Sequence, residues 1–539
     1  MKYSYATRIV NVGGNVKNVE ALLEEKPLQI GLEEPILTVM SGKSHIILDF
    51  GKELSGGARM LVRAVQGNKQ VHLRFGESVS ETCAEIGEKN ATNDHSNRDM
   101  LVDMQDYSDM TFGQTGFRFL RIDTLFEDTV LKIKSIVAAA DTDTREALGA
   151  FECDDPLVNQ IWDTAAHTIR LCLQNGYFWD GIKRDRLVWI GDLYPEMRAA
   201  QCLFGDVPET ENSLKFVQSQ SPLPKWMNNF ETYSLWWLII LADEYNVSGD
   251  KARFACFVPY VKDLIKQFST YVNDDGTTQY WWDFIDWPSC YTEGQPMQKK
   301  YDSACGAGYL TTIAMKKIKE FLKVYKEDTS LCDEMLAKLS KKERVVGQYK
   351  QMAGLGVWAG DKSENNKEVL LRDGAKGMST FMSYPILSGV AAYGEYEAAL
   401  NMMKEYYGGM LSVGATSFWE DFNLDWLENC SRIDEMPQEG KKDIHGDYGA
   451  YCYVGFRHSF CHGWSAGVIP YLIETVAGIK TEGAGMRRIK IRPHLSGLKH
   501  VKASFPTPHG VLTVEHTLQK NGEVKTNVFV PDGIEVIYD

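Results

Sequence analysis

Asp154-Asp155-Pro156-Leu157-Val158-Asn159-Gln160-Ile161-Trp162-Asp163-Thr164-Ala165-Ala166-His167-Thr168-Ile169 is where this chain changes period. Leu157, Ile161, Ala165 and Ile169 recur at every fourth position, which is one face of a helix. The two aspartates followed by Pro156 predict a capped first turn, because the N–H that proline lacks has no partner there anyway. A helical region therefore begins near residue 150.

Upstream of that point the pattern is short and alternating. Residues 44–51, 58–65, 70–76 and 116–122 read as half-buried strands between glycine-containing turns, and the polar run 78–115 reads as a long loop excursion. Downstream, helical stretches are expected at 212–219, 234–246, 255–272, 303–325, 331–352, 382–391, 395–407 and 463–477. Aromatic- and glycine-rich loops join them, which suits an α/α toroid whose loops at one end build a site. Alternation returns at 488–493, 501–505, 510–515 and 524–530. The expected architecture is multi-domain and mainly α: an N-terminal β-sandwich (1–145), the toroid (146–482) and a C-terminal β-sandwich (483–539).

A chain of 539 residues exceeds what one hydrophobic core usually supports, in keeping with several domains. A formal charge of -15, without a basic arm or stripe, argues against a nucleic-acid partner. The eleven cysteines form no CxxC pair and no metal-like spacing, so free thiols and no metal are expected. Neither an N-terminal apolar leader nor a run of roughly 20 apolar residues is visible, so the expectation is a cytoplasmic protein without a membrane partner. Oligomeric state is not legible.

The densest chemistry lies at Phe178-Trp179-Asp180-Gly181-Ile182-Lys183-Arg184-Asp185-Arg186-Leu187-Val188-Trp189-Ile190-Gly191-Asp192, with three carboxylates, two arginines and two tryptophans in fifteen positions. Carboxylates accept from sugar hydroxyls, guanidinium groups fix the carboxylates, and indoles cover the apolar side of a pyranose. A structural ion network among Arg184, Arg186 and the three aspartates is the competing reading. A helix over 185–192 would put Asp185 and Asp192 on one face; Gly191 and the aromatics favour a loop at least as much.

Three further stretches carry candidate residues. Gly414-Ala415-Thr416-Ser417-Phe418-Trp419-Glu420 presents an acid after small residues. Trp281-Trp282-Asp283-Phe284-Ile285-Asp286-Trp287 is rich in indole and carboxylate, and His462-Gly463-Trp464-Ser465 has a histidine at a helix start. Singly, the acid is better explained as an exposed surface group and the histidine as a structural hydrogen-bonder, and the indoles are equally open to being core. Signatures for nucleotide binding, zinc proteolysis and the α/β-hydrolase nucleophile are absent from the sequence, and no cofactor is required. Two carboxylates among many aromatics are what glycoside hydrolysis uses.

Together these residues resemble the α-L-rhamnosidases of glycoside hydrolase family 78. The resemblance rests on Asp180 to Asp192, Gly414 to Glu420, Asp286-Trp287 and His462 to Gly467. It extends to Leu48-Asp49-Phe50-Gly51, Phe75-Gly76-Glu77 and Gly116-Phe117-Arg118 before the helices, and to Ile491-Arg492-Pro493 and Thr507-Pro508-His509-Gly510 after them. It implies an (α/α)6 barrel and an exo-acting, inverting hydrolase releasing terminal α-L-rhamnose from an oligosaccharide or plant glycoside. In these roles Asp185 is the general acid and Glu420 the general base. Asp180, Arg184, Trp189, Asp192, Asp286, Trp287 and His462 line the sugar subsite. One departure stands out: the family usually has Asp-Glu between the two arginines of the signature, where this chain has the single Asp185. An inverting exo-glycosidase for another deoxy or uronic sugar, or a glycan-binding protein without catalysis, are the alternatives this departure leaves.

Overall fold

A computed structural model describes residues 2–538. The N-terminal unit is one seven-stranded sheet in which the strand Thr38–Gln66 pairs with Arg8–Lys17, Ser108–Thr124 and Val130–Ala140. Two parts of this strand flank the same neighbour: Met40 and Val65 both pair with Leu131, so the sheet curls back on itself. The bend needs Gly56, whose φ of 145 and whose closeness to the Ala139 carbonyl, 2.2 Å from any added Cβ, exclude a side chain. The expected strands 44–51 and 58–65 are thus one strand. The expected loop 78–115 instead holds a helical turn (Val79–Cys83), the strand Asp99–Asp103 and the beginning of Ser108–Thr124. Pairing of Ala58 to Val62 with Phe112 to Ser108 holds those polar residues in the sheet, a contact that local alternation does not report.

The middle of the chain is helical. The helix Pro156–Cys172 begins as its sequence predicts, with the Asp155 carboxylate accepting from the Leu157 N–H. Packing runs from it through Leu193–Phe204, Glu231–Ser248, Met297–Val324, Lys350–Ala359, Ser383–Ala391 and Tyr396–Ser412, and back to Pro156–Cys172, closing a ring. Glu231–Ser248 is buried almost throughout, whereas Val258–Ser269 buries only Val258, Val261, Leu264, Ile265 and Phe268. The first helix packs on every side, the second on one face.

Two expected helices are built differently. The stretch 331–352 is two helices, Ser330–Leu339 and Lys350–Ala359, because the Arg344 guanidinium donates to the Leu339, Lys342 and Gly276 carbonyls and so caps the first. The stretch 463–477 passes from a 3-10 turn (Gly463–Gly467) through Val468–Tyr471 into a π-helical turn (Leu472–Val476).

Two sheets close the chain. Val524–Phe529, Gly510–Leu518, His500–Thr507 and Ala150–Cys153 form one; Ile479–Glu482, Arg488–Ile491 and Glu535–Tyr538 form the other. Ala150–Cys153 and Ile479–Glu482 lie within the stretch 146–482 yet pair with C-terminal strands. One apolar core runs continuously from the helices into these sheets, through Phe151, Ile489, Val501 and Val514, while the N-terminal sheet has its own core around Phe75 and Phe117. All eleven cysteines are free. Among the described residues no helix is long and apolar enough to cross a membrane.

Candidate active site

The segment from Trp179 to Asp192 is a loop, with the helix Leu193–Phe204 beginning only after Asp192. Asp180 shapes it: one carboxylate oxygen accepts from the Asp185 N–H (2.9 Å) and the other from the Leu187 N–H (2.8 Å). The backbone of Gly181 bridges to His462, and the Gly463 N–H donates to the Asp180 carbonyl, which joins this loop to the second motif.

Arg184 reaches across the site. Its Nη1 donates to Asp185 Oδ1 (2.7 Å), its Nη2 to both oxygens of Glu420 (2.6 and 2.5 Å), and its Nε to the Arg457 carbonyl (3.0 Å). Burial opposes its charge, but Glu420 and Asp185 beside it hold its pKa above the usual guanidinium value. Glu420 is fixed at its backbone as well. Its N–H donates to the Ser459 carbonyl, and its own carbonyl accepts from Thr380 Oγ1 and Trp464 Nε1. The Trp189 indole N–H points at Asp185 Oδ2, 3.3 Å away.

Asp192 lies beneath. Gly191 leaves room for the Tyr233 ring, which an added Cβ would meet at 2.4 Å, and the Tyr233 hydroxyl then donates to Asp192 Oδ1 at 2.8 Å. Burial, followed by the charge of Asp180, pushes Asp192 well above the carboxylate range. Burial, followed by the charge of Asp185, pushes Asp180 up to about 7. His462 is fully buried and held well below its usual value by burial and then by Arg184, so its ring is neutral; its Nε2 lies 3.8 Å from Asp180, 3.8 Å from Asp192 and 3.9 Å from Glu420.

These groups enclose a cavity of about 70 Å³, lined by Asp180, Arg184, Asp185, Trp189, Asp192, Trp287, Glu420 and His462 together with Phe230, Tyr233, Phe284, Cys452 and Trp464. Of the nine residues singled out in the sequence, Asp286 alone is not in its wall. Asp286 is buried, accepts a hydrogen bond from Ser379, and is pushed by burial up to about 7. The lining aromatics Phe230 and Tyr233 open a helix that reads as pure core, so no motif marks them. A larger cavity of about 520 Å³, walled by Tyr349, Tyr406, Asp421, Trp426 and Tyr451, lies behind the neighbours of Glu420 and Trp287 and contains none of the nine.

Donor atoms of Asp180, Asp192 and His462 converge within 4.8 Å, close enough to hold a metal ion, as do those of Glu77, Glu81 and His445. In the second cluster the Lys183 ammonium fills the cation's place, 2.8 Å from Glu77 and 3.2 Å from Glu81. Chemically, the cavity offers hydrogen-bond donors and acceptors around an aromatic wall and two carboxyl groups separated by one guanidinium.

Three family models match consecutive parts of the chain: the bacterial alpha-L-rhamnosidase concanavalin-like domain over residues 40–140, the 6 hairpin glycosidase domain over 146–334 and the C-terminal domain over 478–537. Among solved structures, the GH78 family rhamnosidase of Bacillus sp. GL1 superposes with a TM-score of 0.75 at 19% identity, covering 96% of this chain and 55% of that one. The alpha-L-rhamnosidase from Dictyoglumus thermophilum gives 0.72 at 16%, covering 100% and 58%. A rhamnosidase from Klebsiella oxytoca with rhamnose bound gives 0.66 at 18%, covering 87% and 95%. The chain thus spans little more than half the length of the first two. No curated protein sequence matches it.

Proposed function

We propose that this chain, which belongs to the bacterial α-L-rhamnosidases through its three consecutive matched domains, is an exo-acting, inverting glycoside hydrolase that removes a terminal α-L-rhamnose. Its helical ring is read as the (α/α)6 barrel of that family. The observation that carries the reading is the Arg184 guanidinium donating at once to Asp185 and Glu420 on the wall of a small cavity lined by acids and aromatics.

In this reading Asp185 protonates the departing glycosidic oxygen. Glu420, on the other side of Arg184, takes a proton from the water that attacks the anomeric carbon. Inversion takes roughly 6.5 to 9.5 Å between the two carboxyl groups, room for the attacking water, and the Arg184 guanidinium lies between them here. Burial raises both Asp180 and Asp192, and their carboxyl groups line the cavity where they bond rhamnose hydroxyls. Trp189, Trp287 and the neutral His462 complete the wall, and Asp286, bonded to Ser379, stays outside it. The small size of the cavity, about 70 Å³, favours release of a single terminal sugar.

Turnover of an aryl α-L-rhamnoside by the full chain, beside Asp185→Asn and Glu420→Gln, tests the assignment. Each variant should lose about 10² to 10⁴ in kcat with little change in KM. Undiminished turnover in both would remove these two residues from the chemistry.

A further inference from the structure

The helical unit does not enclose Asp185 by itself. Three consecutive residues of the N-terminal sheet unit, Asp94, His95 and Ser96, reach the site from outside. Asp94 pairs with Arg457 Nη1 at 2.5 Å, and the carbonyl of that same Arg457 accepts from Arg184. The Ser96 hydroxyl donates to the Lys183 carbonyl at 2.8 Å and bonds Thr115 Oγ1 at 2.9 Å. Between these two anchors, the imidazole Nε2 of His95 stands 3.4 Å from Asp185 Oδ1. The His95 side chain is 34% exposed against 18% for Asp185, so the imidazole is the more open of the two groups to solvent.

We infer that His95 is a positioning residue for the proton donor and the route by which that donor is reprotonated. The inference rests on the reading of Asp185 as the general acid. In each turnover the Asp185 O–H proton passes to the glycosidic oxygen as the C–O bond breaks, and a proton of the attacking water passes to Glu420. Before the next turnover Asp185 must gain a proton and Glu420 must lose one. His95 supplies the first by giving a ring N–H proton to the Asp185 carboxylate and taking another from solvent, with no other change in bonding. His95 also fixes geometry. Arg184 donates to Asp185 Oδ1, the His95 imidazole stands 3.4 Å from that same oxygen and Oδ2 faces the Trp189 N–H, so a side chain one methylene shorter than glutamate has neighbours on three sides. The charged groups around the imidazole are Asp185 and Asp94, with Arg184 and Arg457 directly behind them.

The test is a leaving-group series: α-L-rhamnosides of dinitrophenol, a simple phenol and an alkyl alcohol, hydrolysed by the full chain as wild type, His95→Asn, His95→Ala and Asp185→Asn, with thermal unfolding of each. Acid catalysis matters least for the dinitrophenolate, which departs without a proton. The expected result is a kcat loss of about tenfold or more in the His95 variants with the alkyl rhamnoside, a loss below about threefold with the dinitrophenyl compound, unchanged thermal midpoints and partial recovery of His95→Ala by added imidazole. Equal losses across the series, or none, while Asp185→Asn keeps the leaving-group dependence, would overturn the role of His95 alone. Absence of that dependence in Asp185→Asn would overturn the acid assignment and this inference with it.

Discussion

Arg184 Nη2 lies 2.6 and 2.5 Å from the two carboxylate oxygens of Glu420, a residue 236 positions away in sequence. Both side chains are almost wholly buried, so neither charge is screened by water. Arg184→Lys keeps the charge but loses the fork that reaches Asp185, Glu420 and the Arg457 carbonyl together. A kcat loss of about 10²-fold or more is expected for Arg184→Lys in steady-state assays. Arg184→Met, which strands Glu420 as a buried unpaired charge, should also lose about 3–5 kcal/mol of stability in denaturant unfolding.

Tyr233 is the expected weak point beneath the sugar. Its hydroxyl donates to the fully buried Asp192. Tyr233→Phe removes that donor and leaves the ring in place, which should cost about 1–3 kcal/mol in the same unfolding measurement and raise KM for the rhamnoside. A variant as stable as wild type would show that Asp192 finds another partner.

Stability should depend on pH through the buried acids. Burial raises Asp286 from 3.8 to about 7, so the folded protein holds its proton more tightly than the unfolded chain does. That stabilising contribution is fully present below about pH 4 and is lost as pH rises through about 7, a swing on the order of a few kcal/mol. Asp180 and Asp421, also raised to about 7, act in the same direction. The melting temperature of the wild type should therefore fall between about pH 4.5 and 7.5, and Asp286→Asn should fall less. An identical slope in the two proteins would mean that Asp286 is ionised in the fold throughout.

Legibility in the sequence followed the range of the interactions involved. The helix at Pro156 was readable because its cap, its proline and its apolar stripe all lie within one turn or at fixed spacing. The sheet at 108–112 was not, because its pairing comes from residues 58–62, and its polar residues satisfy the backbone of a distant strand. Gly56 marks a bend only once the Ala139 carbonyl lies against it. Eight of the nine candidate residues meet at one cavity because each sits in a short motif crowded with acids and indoles. His95, Phe230 and Tyr233 were silent: the first lies in a polar loop of another unit, the others at the start of a helix whose apolar run reads as core. Asp286 belonged to a readable motif, but its buried carboxyl turns to Ser379 and away from the cavity.

The central claim is inversion by a carboxyl pair held on one guanidinium, and the anomer released first tests it most directly. Wild-type protein acting on an aryl α-L-rhamnoside, followed by proton NMR from the earliest minutes, should release β-L-rhamnose, with the α anomer growing in only by mutarotation. Initial release of α-L-rhamnose would contradict the account.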